Sequence, residues 1–266
     1  MNSTNYIEEN RNTWNALTDA HIKSEFYDNE SFINGRSSLN DIELKLLGDI
    51  KGKSILHLQC HFGQDTISLT RMEADVTGVD LSDNAINKAK ELAKITEVAA
   101  EFICCDIYDL PKYLDKQFDI VYTSYGTISW LPDLDKWAEI ISKYLKQEGK
   151  FVFVEFHPVV WMFDDNFETI SYSYLNTGEI HETEMGTYAD REAPIIQKIV
   201  NWNHGIGEVA NSLITNGLQI DSLDEFDYSP YNCFRHTIEF ETKKYRIKHL
   251  DNKIPMVYAI GASKKS

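Results

Sequence analysis

Ser54-Ile55-Leu56-His57-Leu58-Gln59-Cys60-His61-Phe62-Gly63 is the stretch on which the fold turns. A short apolar run reads as a buried strand, a polar loop closes on a glycine, and a helix-forming segment follows from about Asp65 to Met72. The same unit recurs downstream. Val76-Thr77-Gly78-Val79 is strand-like and ends at Asp80, and Ser82 is a good N-cap for a helix with Ile86, Ala89 and Ala93 on one face. Upstream, Leu39, Ile42, Leu46 and Ile50 fall on one helix face that Gly52 ends. Downstream, residues 101–105 and 118–122 are strands. Trp137, Ile140, Ile141, Tyr144 and Leu145 mark a helix closed by Gly149, and residues 151–154 form the next strand. Strand–helix alternation of this kind predicts a mostly parallel, Rossmann-like seven-stranded α/β sheet with helices on both faces.

The pattern breaks between residues 157 and 204. Ile170, Tyr172 and Tyr174 alternate, Asn176-Thr177-Gly178 offers a hairpin turn, and residues 197–202 can pair alongside, so a small antiparallel β-cap is expected there. Ile206, Val209, Ala210, Leu213 and Ile214 then resume a helix. Strands near 219–226 and 256–262 close the sheet, with a second insertion, 228–253, between them. Residues 1–38 are expected as a separate N-terminal segment and residues 39–266 as the main domain.

Composition narrows the function. The 266 residues carry 26 Lys and Arg against 42 Asp and Glu, a formal charge of −16, which repels polyphosphate and argues against nucleic acid or an anionic membrane as partner. The cluster Lys243, Lys244, Arg246, Lys248 and His249 reads as a solvated face. No apolar run approaches the roughly 18 residues of a membrane span. Met-Asn-Ser-Thr-Asn lacks a signal-peptide layout. Cys60, Cys104, Cys105 and Cys233 form no C-x-x-C pair, and Cys104 and Cys105 should point to opposite faces of a strand. A reducing, cytoplasmic setting is expected.

Ligands of open α/β sheets bind at the carboxyl ends of the strands. Asp80, with Leu81 beside it, is placed to accept from a ribose diol. Asp106 can accept from an exocyclic amine while the amide of Ile107 reaches a ring nitrogen. Each aspartate alone could simply cap a turn; both in step with the first loop suit an adenosine group.

With these residues in place the sequence resembles the class I S-adenosylmethionine (SAM)-dependent methyltransferases. The likeness runs from about Leu39 to Phe156 and resumes through the last helix and two strands. HLQCHFGQDT (57–66), Tyr122-Thr123-Ser124-Tyr125-Gly126, WLPDLD (130–135), EFHP (155–158) and SPYNCF (229–234) are similar to a bacterial subgroup of that superfamily. The resemblance implies SAM as cofactor and a small-molecule methyl acceptor. In the first loop only Gly63 keeps its glycine; His57 takes an acidic slot, and Gln59 and His61 take glycine slots. Gln59, His61 and Gln64 are then candidates for the amino-acid end of SAM, with Ser124 and Tyr125 at the fourth strand end and Tyr27 and Arg36 from the N-terminal segment. Tyr125 and Trp130 are placed beside a sulfonium, which aromatic rings attract by roughly 0.5–2 kcal/mol. Glu155 and His157 are the pair available as general base, although His157 before Pro158 is equally a turn histidine. His236, Tyr228 and Tyr231 pack or bind substrate. Trp14 and Phe26 read as anchors of an amphipathic helix.

Three rivals stand beside this reading. A SAM-binding regulatory protein without turnover would explain the altered loop. A metal centre on His57, Cys60 and His61, with Cys104 or His157, has suitable ligand types but no second ligand pair. An NAD-linked oxidoreductase lacks G-x-G-x-x-G. The aromatic cap (Trp161, Phe163, Phe167, Tyr172, Tyr174, Tyr188 and Trp202) could enclose the acceptor or serve as a homodimer surface.

Overall fold

The computed structural model describes residues 5–265. In chain order the elements are α1 (Tyr6–His21), α2 (Asn29–Ile33), α3 (Asp41–Leu47), β1 (Ser54–Leu58), α4 (Gln64–Arg71), β2 (Asp75–Asp80), α5 (Asp83–Ile95), β3 (Glu101–Cys104), β4 (Phe118–Ser124), α6 (Leu134–Tyr144), β5 (Leu145–Phe156), β6 (Ile180–Met185), β7 (Ile196–Asn201), α7 (Ile206–Thr215), β8 (Leu218–Phe226), β9 (Thr237–Glu241), β10 (Lys244–Ile247) and β11 (Val257–Lys264).

Seven strands form one sheet in the order β3-β2-β1-β4-β5-β11-β8. The strands from β3 to β5 pair in parallel, while β11 runs antiparallel to both β5 and β8. This is the expected mostly parallel Rossmann-like sheet. Alternating side chains fill both faces. Leu56, Leu58, Val121, Phe151 and Phe153 pack under α6 and α7, and Ile55, Val76, Ile120 and Val152 pack with Leu39 and α4 on the other side. Local signals agree: the Ser82 hydroxyl caps α5 by accepting from the Ala85 amide at 3.0 Å. The α6 helix ends earlier than Gly149, because Leu145 already pairs with Phe118 as the first residue of β5. Cys104 is exposed and Cys105 buried, as strand alternation requires.

The cap is an antiparallel hairpin, but of other residues than the alternation at 170–174 suggested. β6 pairs with β7 from Ile180↔Asn201 to Met185↔Ile196, so the turn at 176–178 precedes the hairpin instead of making it. Tyr172 and Tyr174 serve singly: the Tyr172 hydroxyl donates to Glu182, and the Tyr174 hydroxyl accepts from the Ile206 amide. The α1 helix is laid along β7. Asn10 exchanges two hydrogen bonds with the backbone of Val200, and the Thr13 hydroxyl donates to the Lys198 carbonyl, so side chains satisfy part of a strand edge. The second insertion carries the β9–β10 hairpin. Two of its basic side chains are ion-paired, Lys244 with Glu241 and Arg246 with Asp227 and Asp251. Among the described residues no helix is long and apolar enough to cross a membrane.

Candidate active site

A cavity of about 500 Å³ opens at the carboxyl ends of β1, β2 and β4 and is roofed by α1, the cap and the second insertion. Its floor is the loop after β1. Backbone φ is positive at Gln59 (+54°), His61 (+50°) and Gly63 (+82°), so the loop takes left-handed turns at every second residue although only one of the three is glycine. Gln59 and His61 hold that conformation through their side chains. Gln59 Nε2 donates to the Thr127 carbonyl at 2.8 Å, and His61 Nε2 lies 2.9 Å from Nδ1 of His21. Gly63 has no such freedom, because a Cβ there would meet Phe102 at 2.8 Å and Ala89 at 3.0 Å.

The two aspartates stand at neighbouring strand ends on the same wall. Asp80 accepts from the His61 amide and the Ser82 amide, each at 2.8 Å, which ties the first loop to β2. Burial pushes its carboxyl up to about 6 against the pull of those amides. Asp106 accepts from the Tyr108 amide at 2.7 Å, and burial raises its pKa too. By lone-pair count, each carboxylate can accept further donors. All twelve expected cofactor positions line this cavity: Tyr27, Arg36, Gln59, His61, Gly63, Gln64, Asp80, Leu81, Asp106, Ile107, Ser124 and Tyr125. Some are already engaged. The Tyr27 and Tyr188 hydroxyls are hydrogen-bonded at 2.6 Å, Gln64 donates to the Tyr27 carbonyl and Asn29, and Arg36 donates to the Tyr27 carbonyl at 2.6 Å.

The expected general-base pair does not line the cavity. Phe156 lines the cavity, and because successive strand residues face opposite ways, Glu155 and His157 on either side of it do not. The Glu155 carboxylate accepts from the amides of Gly126, Thr127 (2.7 Å), Ile128 (3.2 Å) and Phe156 (2.7 Å) and from the Thr127 hydroxyl (2.9 Å). His157 Nδ1 accepts from the Val159 amide, so Nε2 carries the proton toward Glu225 at 2.8 Å. The side chains of the metal reading have other neighbours. His57 faces Thr66 at 2.8 Å, His61 faces His21, and among the described residues no three ligand-type side chains converge.

The cavity also takes in residues the sequence did not single out as site residues. Trp14 and Phe26 line it instead of merely anchoring a helix, and Trp14 sits 5.1 Å from both Trp130 and His61 between ring centres. His21 and His61 are held neutral by burial, His21 down to about 3. Asp65 lines the wall as well, with Glu43 behind Tyr125. The Asn40-to-Glu43 spacing is a capping-box signal, and it accounts for only one oxygen of Glu43.

Comparison with known proteins fits this geometry. A methyltransferase-domain family model matches from the middle of β1 to the middle of β5. Its matched residues are 56–153, and its description is a methyltransferase domain. An uncharacterised methyltransferase of Synechocystis is 30% identical over 133 residues, covering 49% of this chain and 60% of that protein. A ubiquinone biosynthesis O-methyltransferase of Coxiella burnetii is 30% identical over 118 residues, 43% of this chain and 50% of that one. The chain thus matches half to three-fifths of the length of these curated relatives. A SAM-dependent methyltransferase of Mesorhizobium loti superposes with a TM-score of 0.58 at 19% identity, covering 87% of this chain and all of the other. The chain shares the fold of this methyltransferase. On the cavity wall, Gln59 Oε1 and Arg36 Nε are buried without hydrogen-bond partners, although Asp28 Oδ2 lies 3.7 Å from that Nε. They are an acceptor and a cationic donor of the kinds an ammonium and a carboxylate engage.

Proposed function

We propose that the protein is a SAM-dependent methyltransferase that acts on a small molecule by in-line transfer within the roofed cavity. The observation that carries this is the placement of Asp80 and Asp106 at adjacent strand ends, on one wall with the left-handed first loop. On this reading Asp80 binds the ribose diol. Asp106 and the Ile107 amide hold the adenine, and Gln59, Arg36 and Gln64 hold the amino-acid end. SAM supplies an already activated methyl group, so the chain's own part is alignment and exclusion of water. The cap supports a lid: Glu182, Ile199 and Asn201 from β6 and β7 face the cavity. The net charge of −16 disfavours a nucleic-acid acceptor.

Calorimetric titration with S-adenosylhomocysteine (SAH) tests the reading. Asp80→Asn should weaken SAH binding about tenfold or more, since hydrogen bonds to a charged group contribute roughly 1.5–3 kcal/mol. Unchanged affinity would remove Asp80 from the site. The displacement of Glu155 and His157 from the wall favours a second reading, a SAM-binding protein without turnover. Tight SAH binding with no methylated product across a broad metabolite panel would select it.

A further inference from the structure

Beyond the cofactor positions, the wall toward α3 is aromatic in front and acidic behind. Tyr125, Tyr231, Phe156, Trp161 and Phe234 line this part of the cavity. Ring centres lie 5.0 Å apart for Tyr125–Tyr231 and Phe156–Phe234, and 5.8 Å for Phe156–Trp161, all edge-on. They give this side of the cavity a continuous aromatic lining, against which an aromatic guest gains ring–ring attraction. The Tyr125 backbone is left-handed at φ +46°, on the turn that Glu155 anchors. This aims its hydroxyl at Oε2 of Glu43, to which it donates at 2.8 Å. Glu43 is fully buried, and its other oxygen accepts from the backbone and side-chain amides of Asn40 at 2.6 and 3.1 Å.

We propose that the acceptor is a planar aromatic compound bearing an ionisable hydroxyl, and that its proton leaves through the Tyr125 hydroxyl to Glu43. This rests on the methyltransferase reading above. The acceptor oxygen uses a lone pair to bond the methyl carbon as the carbon–sulfur bond breaks with its pair to sulfur. The acceptor's proton passes to the Tyr125 oxygen while the proton of Tyr125 passes to Glu43. The products are a methyl ether, a neutral thioether and a neutral Glu43 acid, so the positive charge lost at sulfur reappears as the proton on Glu43.

A phenol has a pKa near about 10, like tyrosine, and needs a base that is ionised at working pH yet not too weak. Burial and the nearby Asp65 charge lift the Glu43 carboxyl to about 7, opposed by the Asn40 and Tyr125 donors. The titratable groups facing it are Asp65 from α4, Tyr122 and Tyr125 from β4 and the turn after it, and Tyr231 from the second insertion. Among the described residues no lysine or arginine forms an ion pair with Glu43.

The test uses the full chain with SAM and four phenols of rising acidity: phenol, catechol, 3-nitrophenol and pentafluorophenol. Wild-type kcat/KM for the weaker acids should rise with pH through about 7, because Glu43 must be ionised to accept. Glu43→Gln should lose that limb and about tenfold or more of the rate with phenol and catechol, and far less with pentafluorophenol, which is already ionised. Tyr125→Phe should behave alike and carries the test if Glu43→Gln melts early. Equal loss across all four phenols would overturn the relay. No methylated phenol from protein that binds SAH would overturn the acceptor class. Failure to bind SAH at all would instead strike the methyltransferase reading.

Discussion

Glu155 and Glu43 are both buried beside the turn that follows β4, and the molecule uses them in opposite ways. Glu155 accepts from four backbone amides and one hydroxyl, so its lone pairs are spent on fixing residues 126–128 and, through them, Tyr125. Glu43 spends one oxygen on Asn40 and gives the other to the Tyr125 hydroxyl on the cavity wall. Burial raises both carboxyls. The difference lies in the donors. A carboxylate saturated by amides is structural, whereas one facing a single hydroxyl, with a second acid nearby, keeps a proton-accepting position open.

Removing each side chain should separate these roles, and Glu155 should show the larger effect. Glu155→Ala leaves buried amides without an acceptor and should lower unfolding free energy by about 3–5 kcal/mol in urea titrations, with SAH binding falling as a consequence. A loss below about 1 kcal/mol would mean that the turn is held by its own backbone. Glu43 should instead reveal itself through pH. Its folded pKa of about 7 stands above the ordinary 4.5, so the native state binds the proton more tightly than the unfolded chain. The resulting stability is fully present below about 4.5 and lost as pH rises through about 7. Wild type should therefore lose about 3 kcal/mol relative to Glu43→Gln between pH 4.5 and 8. A constant difference between the two proteins over that range would erase the contrast with Glu155.

The same contrast explains what the sequence could disclose. Strands β1, β2, β4 and β5 are buried on both faces, so they appear as apolar runs, and the residues at their ends follow directly from strand order. Glu155 and His157 sit at such an end, but the two-residue alternation that brings Phe156 to the cavity turns both of them away. That could be judged only once the facing of β5 was known. Glu43 carries a purely local signal, the capping box with Asn40, which hides its second oxygen. The cavity-lining role of Trp14 was hidden because the placement of α1 depends on the edge of β7, which Asn10 reaches across 190 positions of chain. Local patterns report strands and caps; they are silent on which distant edge a helix will cover.

The first loop offers the finest version of this distinction, between a backbone held by absence of a side chain and one held by a side chain's bond. Gly63 and Gln59 share left-handed φ values, +82° and +54°. Alanine at 63 adds a Cβ against Phe102 and Ala89 in a conformation that L-residues avoid, so Gly63→Ala should cost about 1–3 kcal/mol of unfolding free energy. At 59 the strain and its compensation nearly cancel. Gln59→Gly relieves the left-handed backbone and loses the bond to the Thr127 carbonyl, so unfolding free energy should move by less than about 1 kcal/mol. SAH affinity should nevertheless fall for Gln59→Gly, because the free Oε1 on the wall disappears with the side chain. Stability that drops as far at 59 as at 63 would show the glutamine to be a fastener of the loop, with no part in holding the cofactor.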